Sequence, residues 1–168
     1  TYTWANALTP LVDLGQNNDT ANNLITGTYN IKVEDLKRCS DSGTIMVLEP
    51  NAIDLNPLSF DSATCNGLAN GSASVGGITG VTGGNGSSYT YTWANALTPL
   101  VDLGQNNDTA INLTSGTYNI KVEDIKGCSD SGTISVLEPD VLSLTDTILD
   151  SATCSIGGIA LVKVTGGT

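Results

Sequence analysis

One stretch of this chain occurs twice. Residues 1–21 return letter for letter as residues 90–110, and the match continues to Pro50 and Pro139 at the same offset of 89. Across residues 1–50 and 90–139 only six positions differ: Asn22/Ile111, Ile25/Thr114, Thr26/Ser115, Leu36/Ile125, Arg38/Gly127 and Met46/Ser135. A repeat of this length constrains the fold more than composition does. Each copy must build the same local structure, and successive copies form an array of like units.

The units read as strands. T-Y-T-W at the head of the first copy alternates polar and aromatic side chains, as a half-buried strand does. Residues 13–19, rich in Gly, Asn and Asp, form a loop. Tyr29, Ile31 and Val33 then fall on one face of a strand, with Asn30, Lys32 and Glu34 on the other. Residues 44–48 pair back as a closing strand that ends at Glu49-Pro50, since proline cannot continue a central strand. Between them lies a short hairpin connection, and Gly127 at the place of Arg38 predicts a positive φ there.

The boundaries follow from the repeat. Residues 1–50 read as the C-terminal part of one unit, 51–139 as a complete unit, and 140–168 as the N-terminal part of a third. D-S-A-T-C at 61–65 recurs at 150–154, and V-T-G-G at 81–84 recurs at 164–167. Strands near 52–55 and 71–75, added to those around Trp93, Tyr118 and Leu137, bring the complete unit to about seven, the count of an immunoglobulin-like sandwich. The L-x-x-G-x-Y stretches ending at Tyr29 and Tyr118 have the form of a tyrosine corner, whose hydroxyl bonds nearby backbone. The predicted fold class is all-β, tandem immunoglobulin-like β-sandwich repeats of about 89 residues. Tail and head are complementary parts of one unit. The chain therefore reads as a window on a periodic array, or as a subunit whose neighbours complete its sandwich by strand exchange.

Composition narrows the function. Seventeen acidic residues against six basic ones leave a net charge of −11, which repels a phosphate backbone and excludes nucleic-acid partners. No apolar run approaches the ~20 residues of a membrane-spanning helix, so no membrane insertion is expected. Only 14% of residues are charged, so solubility rests on Asn, Thr, Ser and Gly, as in extracellular β-proteins.

Catalysis fails at the inventory: with no histidine there is no Ser-His-Asp or Cys-His pair, and no enzyme or cofactor is expected. Asp102, Asn106, Asn107 and Asp108, like Asp13, Asn17, Asn18 and Asp19, offer oxygen ligands for calcium but lack EF-hand spacing, and turn formation explains them without a metal. Cys39, Cys65, Cys128 and Cys154 have neither the spacing nor the histidines of a zinc site and read as disulfides of an oxidising compartment. The expected pair is Cys65–Cys128 within the complete repeat, where closing the loop would contribute roughly 4 kcal/mol. Cys39 and Cys154 then join neighbouring repeats or the adjoining subunit. The rival pairs Cys39 with Cys65 and Cys128 with Cys154 across the junctions. Trp4 and Trp93 read as core anchors rather than sugar-stacking platforms.

A cysteine, then V-T-G-G, Y-T-Y-T-W, L-x-x-G-x-Y, D-x-x-G-C and a closing E-P, here at Cys65, 81–84, 89–93, 113–118, 124–128 and 138–139, resembles the SprB-type repeat of Bacteroidota surface adhesins. The resemblance covers the whole chain as half-repeat, repeat and half-repeat. Two departures are Asn85-Gly86-Ser87-Ser88 in place of a T-x-P lead and Arg38 in place of the hairpin glycine. The family implies long cell-surface proteins exported by the type IX system that serve gliding motility, adhesion or extracellular filaments. It also implies O-glycosylation at D-[S/T]-[A/I/L/V/M/T] sites, which here makes candidates of Thr20, Ser62, Thr109, Thr147 and Ser151; ordinary Asx and Ser/Thr turns are the alternative. The expected partners are neighbouring copies of the same repeat in a head-to-tail array or filament. The runner-up function is a carbohydrate-binding module, calcium-assisted, that contacts surface glycans.

Overall fold

The computed structural model describes residues 1–9, 13–76, 80–86, 88–99 and 101–168; Ser87, in the departure from the T-x-P lead, lies outside them. Among these residues the chain is all-β, with antiparallel sheets and no helix. It divides into two compact units, Thr1–Asn51 and Ala52–Thr168.

In the first unit, β1 (Tyr2–Asn6), β2 (Gly27–Glu34) and β3 (Ser40–Val47) form one sheet in that order. Trp4 sits opposite Ile31, and Tyr29 opposite Ile45. The turn from β2 to β3 passes through Arg38 at φ 68°, where its counterpart Gly127 has φ 86°. A left-handed conformation is strained for arginine and free for glycine.

The second unit holds two three-stranded sheets. The first is β4 (Ser59–Asp61), β5 (Gly71–Ser74) and β7 (Thr109–Leu113); the second is β6 (Tyr89–Asn95), β8 (Gly116–Asp124) and β9 (Ser129–Val136). Ala73, Ala110 and Leu113 from one sheet share a buried core with Trp93, Ile120, Val122, Ile134 and Val136 from the other, a β-sandwich arrangement. Residues 52–55 do not form the expected strand. They carry a single bridge, Asp54 to Thr82, which still buries Ile53 and Leu55. Pro57, which has no N–H to donate, stands where that strand would run on. The unit ends in a long hairpin of β10 (Asp140–Asp150) and β11 (Ile159–Gly167), exposed along its whole length.

The two copies of the repeated stretch pair in one register. Tyr91 faces Val122, Trp93 faces Ile120 and Asn95 faces Tyr118, as Tyr2, Trp4 and Asn6 face Val33, Ile31 and Tyr29. Their surroundings differ. Ile134 is 7% exposed and its counterpart Ile45 is 50%; Val122 is fully buried and Val33 is 41% exposed. Thr109–Leu113 is a strand because β5 lies beside it. Residues 20–24, differing from it only at Asn22, are not a strand. A strand's backbone groups need a partner, and sequence alone does not supply one.

Ile120→Ala should therefore cost about 2–5 kcal/mol, the range for a truncated core isoleucine. Ile31→Ala, at the matching position of the half-covered sheet, should cost less than half as much. Urea unfolding of the dilute chain, followed at the two tryptophans, measures both; equal losses would contradict the burial contrast.

Candidate functional site

The Asn/Asp loop is held from inside. Trp93 Nε1 donates to Asn107 O at 2.9 Å, and Trp4 Nε1 to Asn18 O at 3.0 Å, so each buried indole pins the loop of its own copy. Within the loop Gly104 N donates to Asp102 Oδ1, and Thr109 Oγ1 donates to Asp108 Oδ1. The Gln105 side chain both donates to Ile111 O and accepts from Ile111 N. Asp13, Gln16 and Asp19 make the same bonds in the first copy. The calcium candidates Asp102 and Asp108 are thus engaged by their own loop. Among the described residues no three His, Cys, Asp or Glu side chains converge as a metal site.

Beside this loop a groove of about 740 Å³ runs between Tyr89, Tyr91 and residues 104–109. Tyr89 donates its hydroxyl to Gly83 O at 2.7 Å. Burial pushes the Tyr91 phenol up, and the charge of Asp108 adds to it. Both tyrosines are half-buried and pack against the core of the sandwich, as a half-buried alternating strand requires.

The most constrained carboxylate is Asp124, 5% exposed at the turn between β8 and β9. Its Oδ1 accepts from Lys126 N at 2.8 Å and Cys128 N at 3.0 Å, and its Oδ2 from Asn85 N at 2.7 Å and Asn85 Nδ2 at 3.0 Å. Gly84 passes so close that a Cβ there would lie 2.8 Å from Oδ2. The carboxylate joins the V-T-G-G stretch to the D-x-x-G-C turn, a role that the motif spacing did not disclose. Asp35 accepts from Lys37 N and Cys39 N in the same way in the first copy.

The expected Cys65–Cys128 disulfide is not formed; Cys39, Cys65, Cys128 and Cys154 are all free and exposed. Cys65 lies at the far end of β9 from Cys128. Ala63 N donates to Leu137 O, Asn66 Nδ2 to Pro139 O, and Gly67 N to Glu138 Oε2 at 2.6 Å, whereas Cys128 immediately precedes the first residue of β9. Eight strand residues span ~27 Å, against the ~7 Å limit between the Cα atoms of a disulfide. The Gly67 N–H also holds the Glu138 carboxyl below its usual range, which gives the closing E-P a local task.

Tyr29 donates its hydroxyl to Ile25 O at 2.9 Å and Tyr118 donates to Thr114 O at 3.0 Å, each four residues upstream. Gly116 between them adopts φ 154°, and Gly27 φ 153°. Of the glycosylation candidates, Thr20, Ser62, Thr147 and Ser151 are exposed, while Thr109 is half-buried at the start of β7. No helix of the described residues is long and apolar enough to cross a membrane.

Burial pushes the Asp124 carboxyl up, but the hydrogen bonds from Asn85, Lys126 and Cys128 outweigh it and lower it from 3.8 to about 2. Folding therefore favours the carboxylate. Its contribution is fully present above about pH 4 and is lost as the pH falls through about 2. Asp124→Asn should lower the melting temperature near neutrality and shrink the fall in melting temperature between about pH 5 and pH 2. An unchanged fall would exclude Asp124 as a source of the acid sensitivity. No known family profile and no curated protein matches the sequence.

Proposed function

We propose that this chain is a structural repeat segment of an extracellular adhesin or cell-surface filament, built from tandem immunoglobulin-like repeats and acting as rod or spacer. The observation that carries the reading is the repeated sheet. Two stretches differing at six positions in 50 build the same three strands in the same register, with the same internally bonded loop. Local bonds that close within each copy suit an array in which each unit stabilises itself and its neighbours. The two packed sheets and the tyrosine hydroxyls bonded to backbone support the immunoglobulin-like type. The resemblance to SprB-type repeats supplies the setting: a Bacteroidota cell surface, export by the type IX system, and adhesion or gliding motility. A non-catalytic role agrees with a sequence that lacks histidine. In this setting Thr20, Ser62, Thr109, Thr147 and Ser151 are O-glycosylation sites; glycopeptide mass spectrometry of the native protein should find hexose-bearing peptides at the four exposed positions, and five bare sites would remove the assignment.

Electron microscopy of the purified chain tests the main reading. Thin, regular fibres are expected, and dispersed compact particles at all concentrations would sink it. The second reading, a carbohydrate-binding module, draws on the groove at Tyr89 and Tyr91, whose rings stand beside the amides and carboxylate of residues 105–108. It requires an isolated complete repeat to bind on a glycan array and Tyr91→Ala to abolish that binding.

A further inference from the structure

The sheet of the first unit has a bare face where its counterpart in the second is covered. Ala21, Leu24, Ile31, Val33, Ile45 and Val47 are all half-buried or exposed, while Ala110, Leu113, Ile120, Val122, Ile134 and Val136 are buried. The cover in the second unit comes from residues 52–82, which contribute Ile53, Leu55, Ala73, Val75 and Val81 to the core.

The chain carries that cover a second time. Leu142, Leu144, Ala160, Val162 and Val164, on β10 and β11, stand at the corresponding places, and all are exposed. The hairpin already has the shape of the cover. Ser143 pairs with Thr165 as Asp54 bridges Thr82, and Asp150 pairs with Ile159 as Asp61 pairs with Ser72. Gly166 at φ 80° lies against Val141 O as Gly83 at φ 87° lies against Ala52 O; an added Cβ would fall 2.0 and 1.9 Å from those oxygens.

We propose that the bare face of Thr1–Asn51 is closed by the β10–β11 hairpin of a second copy of this chain, and that the junction is sealed by a disulfide between Cys65 of the donor and Cys39 of the acceptor. The proposal rests on the filament reading and names its partner, register and bond. Residues 20–24 of the acceptor become a strand beside β11 of the donor, with Ala21 opposite Ala160 as Ala110 is opposite Ala73. Where Asp124 receives Asn85 N, acceptor Asp35 receives N–H of donor Thr168, the residue that follows V-T-G-G in the second copy.

The disulfide follows from two neighbouring contacts in the second unit. Cys65 lines a cleft of about 270 Å³ with Pro139, Gly166, Gly167 and Thr168. In the complete repeat the residue at the place of Thr168 is Asn85, and its Nδ2 lies 3.3 Å from Cys128 Sγ. A docked acceptor therefore brings Cys39, the counterpart of Cys128, to Thr168 and so to Cys65. Both thiols are free and exposed. The two S–H bonds break and one S–S bond forms; the two protons and two electrons pass to an external disulfide, which leaves as two thiols. The junction recurs every 89 residues in sequence, so the same rule assigns Cys154 of the donor to Cys128 of the acceptor.

The test mixes 14N- and 15N-labelled full chains, oxidises them with glutathione disulfide, and maps peptides after non-reducing electrophoresis. The expected result is a ladder that collapses with dithiothreitol and contains Cys39–Cys65 and Cys128–Cys154 peptides joining heavy to light chains. Leu144→Asp and Val162→Asp, both at exposed hairpin positions, should each reduce the ladder roughly tenfold or more while the melting of the complete repeat stays unchanged. Linkages found only within one chain, or a ladder indifferent to both substitutions, would overturn the proposal. Regular fibres with other pairings or free thiols would overturn it while leaving the filament reading intact. Monomers without fibres would remove both.

Discussion

The core of this chain depends on whether one face of a three-stranded sheet is covered. In the second unit, β8 carries Ile120 and Val122 fully buried against the β4–β5–β7 sheet, and Trp93 is sealed beside them. The Trp93 indole donates to Asn107 O and holds the Asn/Asp loop. In the first unit the same residues build the same sheet and Trp4 still reaches Asn18, so strand pairing survives without the cover. The strand at 109–113 does not. Its counterpart at 20–24 has no strand beside it among the described residues and stays irregular. Hairpin bonding is local and the second layer is not, which separates the two outcomes.

The legible part of the fold was the part that local bonding determines. Alternation placed the strands at Trp4, Tyr29 and their counterparts, and the Arg38/Gly127 difference marks the left-handed residue of the turn. Residues 52–55 misled because their apolar content marks burial, and burial there is reached through one bridge rather than a ladder. Thr109–Leu113 was hidden because Ala110 and Leu113, three apart, break strand alternation; an irregularity at Asn112, with φ 57°, brings both into the core.

The site residues show the same division. The polar loop suggested calcium because Asp and Asn are oxygen ligands, yet the same oxygens answer the loop's own N–H and hydroxyl donors. Asp124 was visible only as a motif letter, since its four donors come from Asn85, 39 residues earlier, as well as from its own turn. The Cys65–Cys128 pairing failed on distance along β9. Equal numbers of two cysteine types per repeat says that each type has a partner, and it is silent on whether that partner is in the same repeat.

That silence is where periodicity becomes an advantage. In a single domain, two cysteines at opposite ends of a strand are simply apart. In an array, opposite ends are where successive units meet, so the same spacing that forbids a bond within one unit places each thiol at a junction. A small sandwich with few aromatic residues has limited area to bury by itself, and a stiff rod needs its junctions fixed as well as its units. The glutamate that closes each repeat, the turn beside Cys65 and the exposed V-T-G-G of the following hairpin all gather at one end of β9. Local bonds thus make each unit, and what they leave open, the apolar face of Thr1–Asn51 and the free thiols at the two ends of β9, is what the proposed docking of a second copy would use.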